Sequence, residues 1–223
     1  MRDFLITNIQ IILWCISFIE IIFICLYIRE YFKEKKIITL CMLAVAIGLL
    51  VDVTIVAAGG VIENLPFFLS RLRFVFHGLL SPLVLLICGF GLRFRKKAIR
   101  VLMVVTVLLM IAGVIQAFNV DLEKVTVGAN IRYASSKLTP GWVNVISQLL
   151  SFGTIIPLII SGLITWIKFK TPHMFFAGFL MFIFAGIGPA TGNMDLLFLI
   201  TMFGEVAMLV SYYLYLRTER VPS

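Results

Sequence analysis

The chain has 223 residues, of which 61% are hydrophobic and only 13% are charged, and its formal net charge is +8. A soluble domain usually has about 25% charged residues, so this composition excludes an ordinary water-soluble globular protein. The basic residues lie in short segments between apolar blocks, as membrane topology requires, and no nucleic-acid-binding motif accompanies them. Nucleic acid is therefore not an expected partner.

Seven apolar blocks follow one another along the chain. A helix needs about 20 apolar residues, at 1.5 Å rise per residue, to cross a hydrocarbon core of about 30 Å. The sequence therefore predicts an all-α, polytopic membrane helix bundle that forms a single transmembrane domain over residues 1–223. The seven predicted helices cover residues 4–28, 38–58, 67–92, 98–118, 142–167, 173–189 and 194–216.

The distribution of Lys and Arg predicts the orientation. Of the 19 basic residues, 13 follow the odd-numbered helices and 6 lie in the alternate segments. Because an excess of Lys and Arg marks the cytoplasmic side, we expect the N-terminus outside and the C-terminus in the cytoplasm. We expect a multi-pass protein of the cell (plasma) membrane, with the lipid bilayer as its first partner.

Two connecting segments carry recognisable signals. In the outer loop 119–141, apolar and polar residues alternate on both sides of Gly128-Ala129-Asn130, which predicts a small β-hairpin. This hairpin is either a lid over the outer face or a plain connection. Thr171-Pro172 predicts the start of the sixth helix, with Thr171 as its N-cap and a structural or interfacial place for His173.

Ionisable side chains at membrane depth are costly and therefore mark candidate sites. Arg73, His77 and Ser81 are spaced four residues apart, so they share one face of the third helix. Asp52 of the second helix lies at a similar depth, and a pair with Arg73 or His77 is expected. The candidate ligand-binding or proton-binding residues are Asp52, Arg73, His77, Ser81, Gln148, Asp195 and Glu205.

These candidates predict a water-accessible cavity that opens outward. The alternative is a set of sealed hydrogen bonds between helices, which is the common role of Ser, Thr, Asn and Gln in membranes. Glu20 of the first helix has two interpretations, as a proton-relay carboxyl group or as a carboxyl group at the interface.

One stretch resembles a known family. Arg73, followed nine residues later by Pro82-Leu83 and an apolar run, resembles the third helix of microbial rhodopsins, which also have seven helices and an outside N-terminus. In that family a lysine midway along the seventh helix forms the retinal Schiff base, and this sequence has Glu205 at the comparable depth. The family's carboxylate three residues after the arginine is also replaced, here by Phe76. The resemblance thus implies the seven-helix fold without retinal.

The residue inventory bears on cofactors and catalysis. The two histidines, His77 and His173, lie near opposite membrane faces, which excludes a zinc site with several His ligands and a bis-His haem. No phosphate-binding glycine loop or nucleophile motif is present. We therefore predict no cofactor, no metal and no catalytic residue, and the sequence favours a protein that is not an enzyme.

Three functions remain. The first is transport of a small solute or proton-linked transport through the polar outer-half cavity, since protonatable groups at depth suit proton movement. The second is a membrane receptor or sensor module that binds a small-molecule ligand and signals through a separate partner membrane protein. The third is a structural or accessory membrane subunit whose polar residues contact other helices.

Overall fold

The computed structural model describes residues 2–62, 65–191 and 196–219. This part of the chain is mostly helical, because only intrahelical hydrogen bonds satisfy the backbone of such long apolar segments in lipid. The elements are α1 (Arg2–Thr7), α2 (Ile9–Glu34), α3 (Ile37–Ala58), α4 (Phe67–Leu80), α5 (Leu83–Gly91), α6 (Lys96–Asn119), β1 (Leu122–Val127), β2 (Asn130–Ser135), α7 (Gly141–Phe169), α8 (His173–Thr191) and α9 (Leu197–Thr218).

Six helical segments in the described part are long and apolar enough to cross a membrane: α2, α3, α4 together with α5, α6, α7 and α9. The segment Phe67–Gly91 is interrupted by a turn at Ser81 and Pro82, where the proline ring removes a backbone N–H. Another predicted helix, 173–189, corresponds to α8, whose apolar stretch His173–Ile187 is shorter. The described part of the chain is thus a helical bundle with six candidate membrane-spanning helices.

The bundle has two ends with different chemistry. We call the end that carries β1 and β2 the hairpin end, and the opposite end, with Lys36, Arg93, Lys170 and Glu219, the basic end. α8 packs between α7 and α9, α2 packs on α3 and α9, and α4 packs on α6. One apolar core lies towards the basic end and includes Tyr212, while a second core under the hairpin joins α2, α3 and α9.

Helices α4 and α6 cross in close contact at a pair of glycines. A Cβ atom on Gly78 would lie 2.6 Å from the backbone carbon of Gly113, and one on Gly113 would overlap the backbone oxygen of Gly78. Small residues of this kind let two helix backbones approach each other within a membrane. The crossing holds the C-terminal part of α4 in place. His77 lies in this part, directly before Gly78.

The hairpin predicted between residues 119 and 141 is present. β1 and β2 pair as antiparallel strands with Val127 opposite Asn130, and Gly128 and Ala129 form the turn. Gly128 has φ of 59°, the left-handed conformation that glycine adopts without steric cost.

The hairpin is bonded to the helix ends beneath it. The Asn130 side-chain amide donates to the carbonyl of Val56 at 2.7 Å and to Oε1 of Gln10 at 3.3 Å. The backbone N–H of Ile131 donates to the carbonyl of Gly59 at 3.2 Å. Val127 is buried in the apolar core below. These contacts attach the hairpin to α2 and to the end of α3, so it covers this end of the helix pair.

Candidate functional site

A polar cavity of ≈ 290 Å³ lies inside the bundle. Residues of α3, α4, α6, α7, α8 and α9 enclose it, with apolar walls from residues such as Ile155 and Met181. Its polar lining consists of Asp52, Arg73, His77, Gln116, Ser147, Ser151, Thr201 and Glu205. Charged groups from three different helices therefore face one space, which is an arrangement that a binding site requires.

Arg73 is the central cation of this site. Its Nε forms an ion pair with Oδ1 of the buried Asp52, which joins α4 to α3. The same guanidinium donates to the carbonyl of Tyr133 in β2 at 3.3 Å and lies over the ring of Phe74, 5.2 Å from its centroid. One side chain thus connects the cavity, two helices and the hairpin.

Glu205 is the carboxyl group that this cation does not satisfy. The residue is only 4% exposed, and its Oε2 has no hydrogen-bond partner in the described part of the chain. Glu20 is fully buried, and neither of its carboxyl oxygens has such a partner among the described residues. Glu20, Asp52 and Glu205 interact with one another electrostatically. Three carboxyl groups therefore share a region in which Arg73 forms its ion pair with Asp52.

His77 connects the main cavity to a smaller one. A second space of ≈ 80 Å³ is lined by His77, Ser81, Thr154 and Glu205. The exposed side chain of His77 borders both spaces. Beyond the second space lies the apolar core around Leu158 and Met208. The polar path therefore ends inside the bundle.

The structure brings together most of the side chains that the sequence singles out. Asp52, Arg73, His77 and Glu205 line the main cavity, and Ser81 lines the smaller one. One candidate differs, and another is not described. Gln148 is exposed on the outside of α7 and lines neither cavity, while Ser147 and Ser151 from the same helix face the main one. Asp195 lies outside the described residues.

Besides Ser147, Ser151 and Thr154 of α7, three groups at the site are absent from the predicted candidates. Thr201 precedes Glu205 by four residues, so helical spacing could have identified it. Gln116 lies near the C-terminal end of α6, close to the hairpin end. Its polar amide in an apolar segment could have identified it. The carbonyl of Tyr133 had no signal at all, because any residue at that position supplies a backbone oxygen.

Arg71 shows that a neighbouring arginine has a different role. Its guanidinium donates to the carbonyls of Ala117, Phe118 and Val120 at 2.8, 2.9 and 2.9 Å. These carbonyls are at the C-terminal end of α6, where intrahelical partners end. Arg71 therefore caps α6, whereas Arg73 lines the cavity and pairs with Asp52.

The chemistry available at the cavity is hydrogen bonding, charge pairing and proton exchange. Carboxyl, imidazole and hydroxyl groups lie together around a space large enough for a small polar molecule and water. Among the described residues, no group of three His, Cys, Asp or Glu side chains is placed to hold a metal ion.

No protein-family model matches the chain, and no curated protein matches it either.

Proposed function

We propose that the chain spans the cell membrane seven times, with its N-terminus outside and the hairpin on the outer face. The basic residues support this orientation, because their excess marks the cytoplasmic side. The 19 residues of α8 rise about 28 Å, close to the thickness of a hydrocarbon core, which supports counting it as a span. The resemblance to microbial rhodopsins is part of this proposal and predicts a related arrangement of helices without retinal.

We propose that the protein carries out proton-linked transport of a small polar solute through the outer cavity. The observation that supports this most is Glu205, a buried carboxyl group that faces the cavity and has an oxygen without a hydrogen-bond partner in the described chain. An ionised carboxylate at this depth is costly unless it is paired. Glu205 therefore favours binding a proton or a cationic group from the cavity, and either event changes the charge of the site.

Coupling follows from the shared electrostatics. Arg73 can balance one carboxylate, and Asp52 already pairs with it. When a solute with hydrogen-bonding groups enters, it competes for Arg73 and for the proton on Glu205. Binding of the solute and binding of the proton then affect each other, as linked equilibria require. The apolar core beyond the smaller cavity closes the path towards the basic end, so transport requires a second conformation.

Proton flux into liposomes tests this proposal. The purified full chain is reconstituted with a pH-sensitive dye inside, the membrane potential is clamped with potassium and valinomycin, and the outside is acidified. Alanine and glucose serve as probe solutes in separate runs. We expect proton entry that increases with at least one probe and that falls roughly 100-fold in Glu205→Gln, because the proton-carrying group is lost.

Glu123→Gln is the matched control. Glu123 is an exposed carboxylate on β1, so its neutralisation alters the net charge equally without touching the cavity. Equal flux in Glu205→Gln and the wild type would contradict the proton-linked mechanism, and absence of flux with every probe would move the second candidate to the front.

The second candidate is a receptor or sensor module. It is favoured by Arg73, which contacts both Asp52 in the cavity and the carbonyl of Tyr133 in the hairpin. A ligand that draws Arg73 away from either partner would alter the hairpin and the helix packing together. This function predicts ligand binding without flux, and signalling through a partner membrane protein.

A further inference from the structure

A second polar cavity lies at the basic end, far from the outer site. Its volume is ≈ 410 Å³, and it is enclosed by the ends of α7 and α9, the start of α8 and the segment after α5. The residues that determine its chemistry are Arg93, Lys168, Lys170, Thr171 and Glu219. Three cations and one carboxylate leave a formal charge of 3 − 1 = +2 around this space.

The single carboxylate is already engaged. Glu219 pairs with Lys36 at 3.4 Å and with Arg93 at 3.7 Å, and it accepts a hydrogen bond from the Tyr215 hydroxyl at 3.3 Å. Burial lowers the pKa of Lys36, but its hydrogen bond to Glu34 and the charge of Glu219 raise that pKa to a net value above the ordinary one. Lys36 therefore stays charged and helps to neutralise Glu219.

The two remaining lysines have no such partner. Lys168 and Lys170 are exposed at the rim, and neither forms an ion pair with any residue that the structure describes. Lys170 has φ of 58°, the left-handed conformation that ends α7, so its position follows from the helix end. Arg93 lies over the ring of Phe169, 4.6 Å from its centroid, which holds the third cation at the same space.

The side chain of Thr171 indicates what kind of ligand fits the cavity between these cations. Its side chain is only 8% exposed and lines the cavity, yet its Oγ1 has no hydrogen-bond partner within the described residues. It does not cap α8 in the way that the sequence predicts. The first turn of α8 closes with the N–H of Phe176 donating to the carbonyl of Pro172, so earlier N–H groups at the same place have no partner inside the helix.

We propose that this cavity binds a phosphate group, either in the headgroup of an anionic lipid or as soluble phosphate. A phosphate offers several acceptor oxygens and a negative charge, which match the buried hydroxyl of Thr171 and two ammonium groups that form no ion pair among the described residues. The space exceeds the size of one phosphate and leaves room for the rest of a headgroup. This site is independent of the transport proposal.

Binding to the purified full chain in a neutral detergent tests the site. The probes are phosphatidylglycerol, phosphatidylcholine as a zwitterionic counterpart without net charge, and inorganic phosphate. Native mass spectrometry and thermal stability report binding. We expect phosphatidylglycerol or inorganic phosphate to bind and to raise the melting temperature, while phosphatidylcholine does neither. Binding of the lipid alone would identify a headgroup, whereas competition by inorganic phosphate would identify soluble phosphate.

Three variants distinguish a built site from general charge. The double variant K168Q/K170Q should bind the probe roughly 30-fold more weakly, since each basic residue contributes to attraction of an anionic headgroup. Thr171→Val keeps the shape but loses the hydroxyl, and should weaken binding about fivefold. The control K96Q/K97Q removes two exposed lysines at the start of α6, at the same end but outside the cavity, and should stay within about twofold.

The proposal is overturned if K96Q/K97Q weakens binding as much as K168Q/K170Q, or if Thr171→Val binds like the wild type. It is also overturned if neither phosphatidylglycerol nor inorganic phosphate binds to the wild type. Because Lys168 and Lys170 are exposed, their replacement leaves the packed core intact and the result does not depend on a folding defect.

Discussion

The two ends of the bundle use charge in opposite ways. At the basic end, Glu219 meets Lys36 and Arg93 near the surface, where water and lipid headgroups also stabilise charge. At the hairpin end, Asp52 and Arg73 pair inside the bundle, and Glu205 has an oxygen without a hydrogen-bond partner in the described chain. Holding a charge therefore costs little at the basic end and much more beneath the hairpin.

The largest expected effect is the loss of the buried cation. Arg73→Met leaves Asp52 without its partner at membrane depth, and we expect the free energy of unfolding to fall by about 3–5 kcal/mol. Arg93→Met is the counterpart at the basic end. Its pair with Glu219 is 3.7 Å long with Arg93 61% exposed, so we expect a loss of at most about 1 kcal/mol. Reversible unfolding in mixed detergent micelles measures both.

The double variant Asp52→Asn/Arg73→Met sharpens this comparison. Neutralising Asp52 removes the uncompensated charge, so we expect it to recover a large part of the stability that Arg73→Met loses. If Arg73→Met and Arg93→Met were equally mild, the distinction between a buried and a surface ion pair would be wrong.

Much of this fold follows from the sequence, for identifiable reasons. The apolar blocks indicate the helices because a bilayer demands about 20 such residues, and the alternation around Gly128 indicates the hairpin. The spacing of Arg73, His77 and Ser81 also places three side chains on one face, and all three border the two connected cavities. These features depend on local pattern, which a single chain displays directly.

The remaining features of the site depend on how helices rotate against their neighbours. Gln148 and Ser147 are adjacent in sequence but about 100° apart around α7, so a small error in rotation exchanges the inward residue for the outward one. Two further features could not be predicted from the sequence, because neither follows from residue type. They are the contact of Arg73 with the carbonyl of Tyr133 and the lack of a hydrogen-bond partner for the Thr171 hydroxyl among the described residues. Packing decides these positions.

The next expected effect concerns packing beside the cavity rather than charge. Gly78→Ala adds a methyl group where the backbone of Gly113 lies 2.6 Å away, and we expect it to cost about 1–3 kcal/mol. Gly186→Ala in α8 is the matched control, since a Cβ atom there has no neighbour within 4 Å. That change should be neutral or stabilising, by up to about 1 kcal/mol. Thermal unfolding that ranks the two variants in the reverse order would contradict the close α4–α6 crossing.

A smaller effect is expected at the attachment of the hairpin. Asn130→Ala removes the hydrogen bonds to Val56 and Gln10, and we expect about 1–2 kcal/mol of lost stability, with faster amide exchange in β1 and β2. Asn119→Ala is the control, because Asn119 donates only to Ile115 in its own helix and is exposed. Hydrogen exchange that stays unchanged in Asn130→Ala would show that apolar packing alone holds the hairpin.

The substitutions with the smallest expected effect on stability serve for thiol labelling, which compares water access at the two ends of the bundle. With the four native cysteines replaced, Ser81→Cys places a thiol in the smaller cavity, one turn from His77. Ser211→Cys places a thiol inside the bundle towards the basic end, where the buried serine donates to the carbonyl of Ala207. We expect an impermeant reagent added outside cells to label Ser81→Cys and Lys137→Cys, an exposed position after the hairpin, but not Ser211→Cys. Water would then reach the polar groups beneath the hairpin but not the interior towards the basic end, as a binding cavity requires. Labelling of Lys137→Cys alone would mean that the buried carboxyl groups belong to a sealed network, and the structural or accessory function would then explain their cost better than transport.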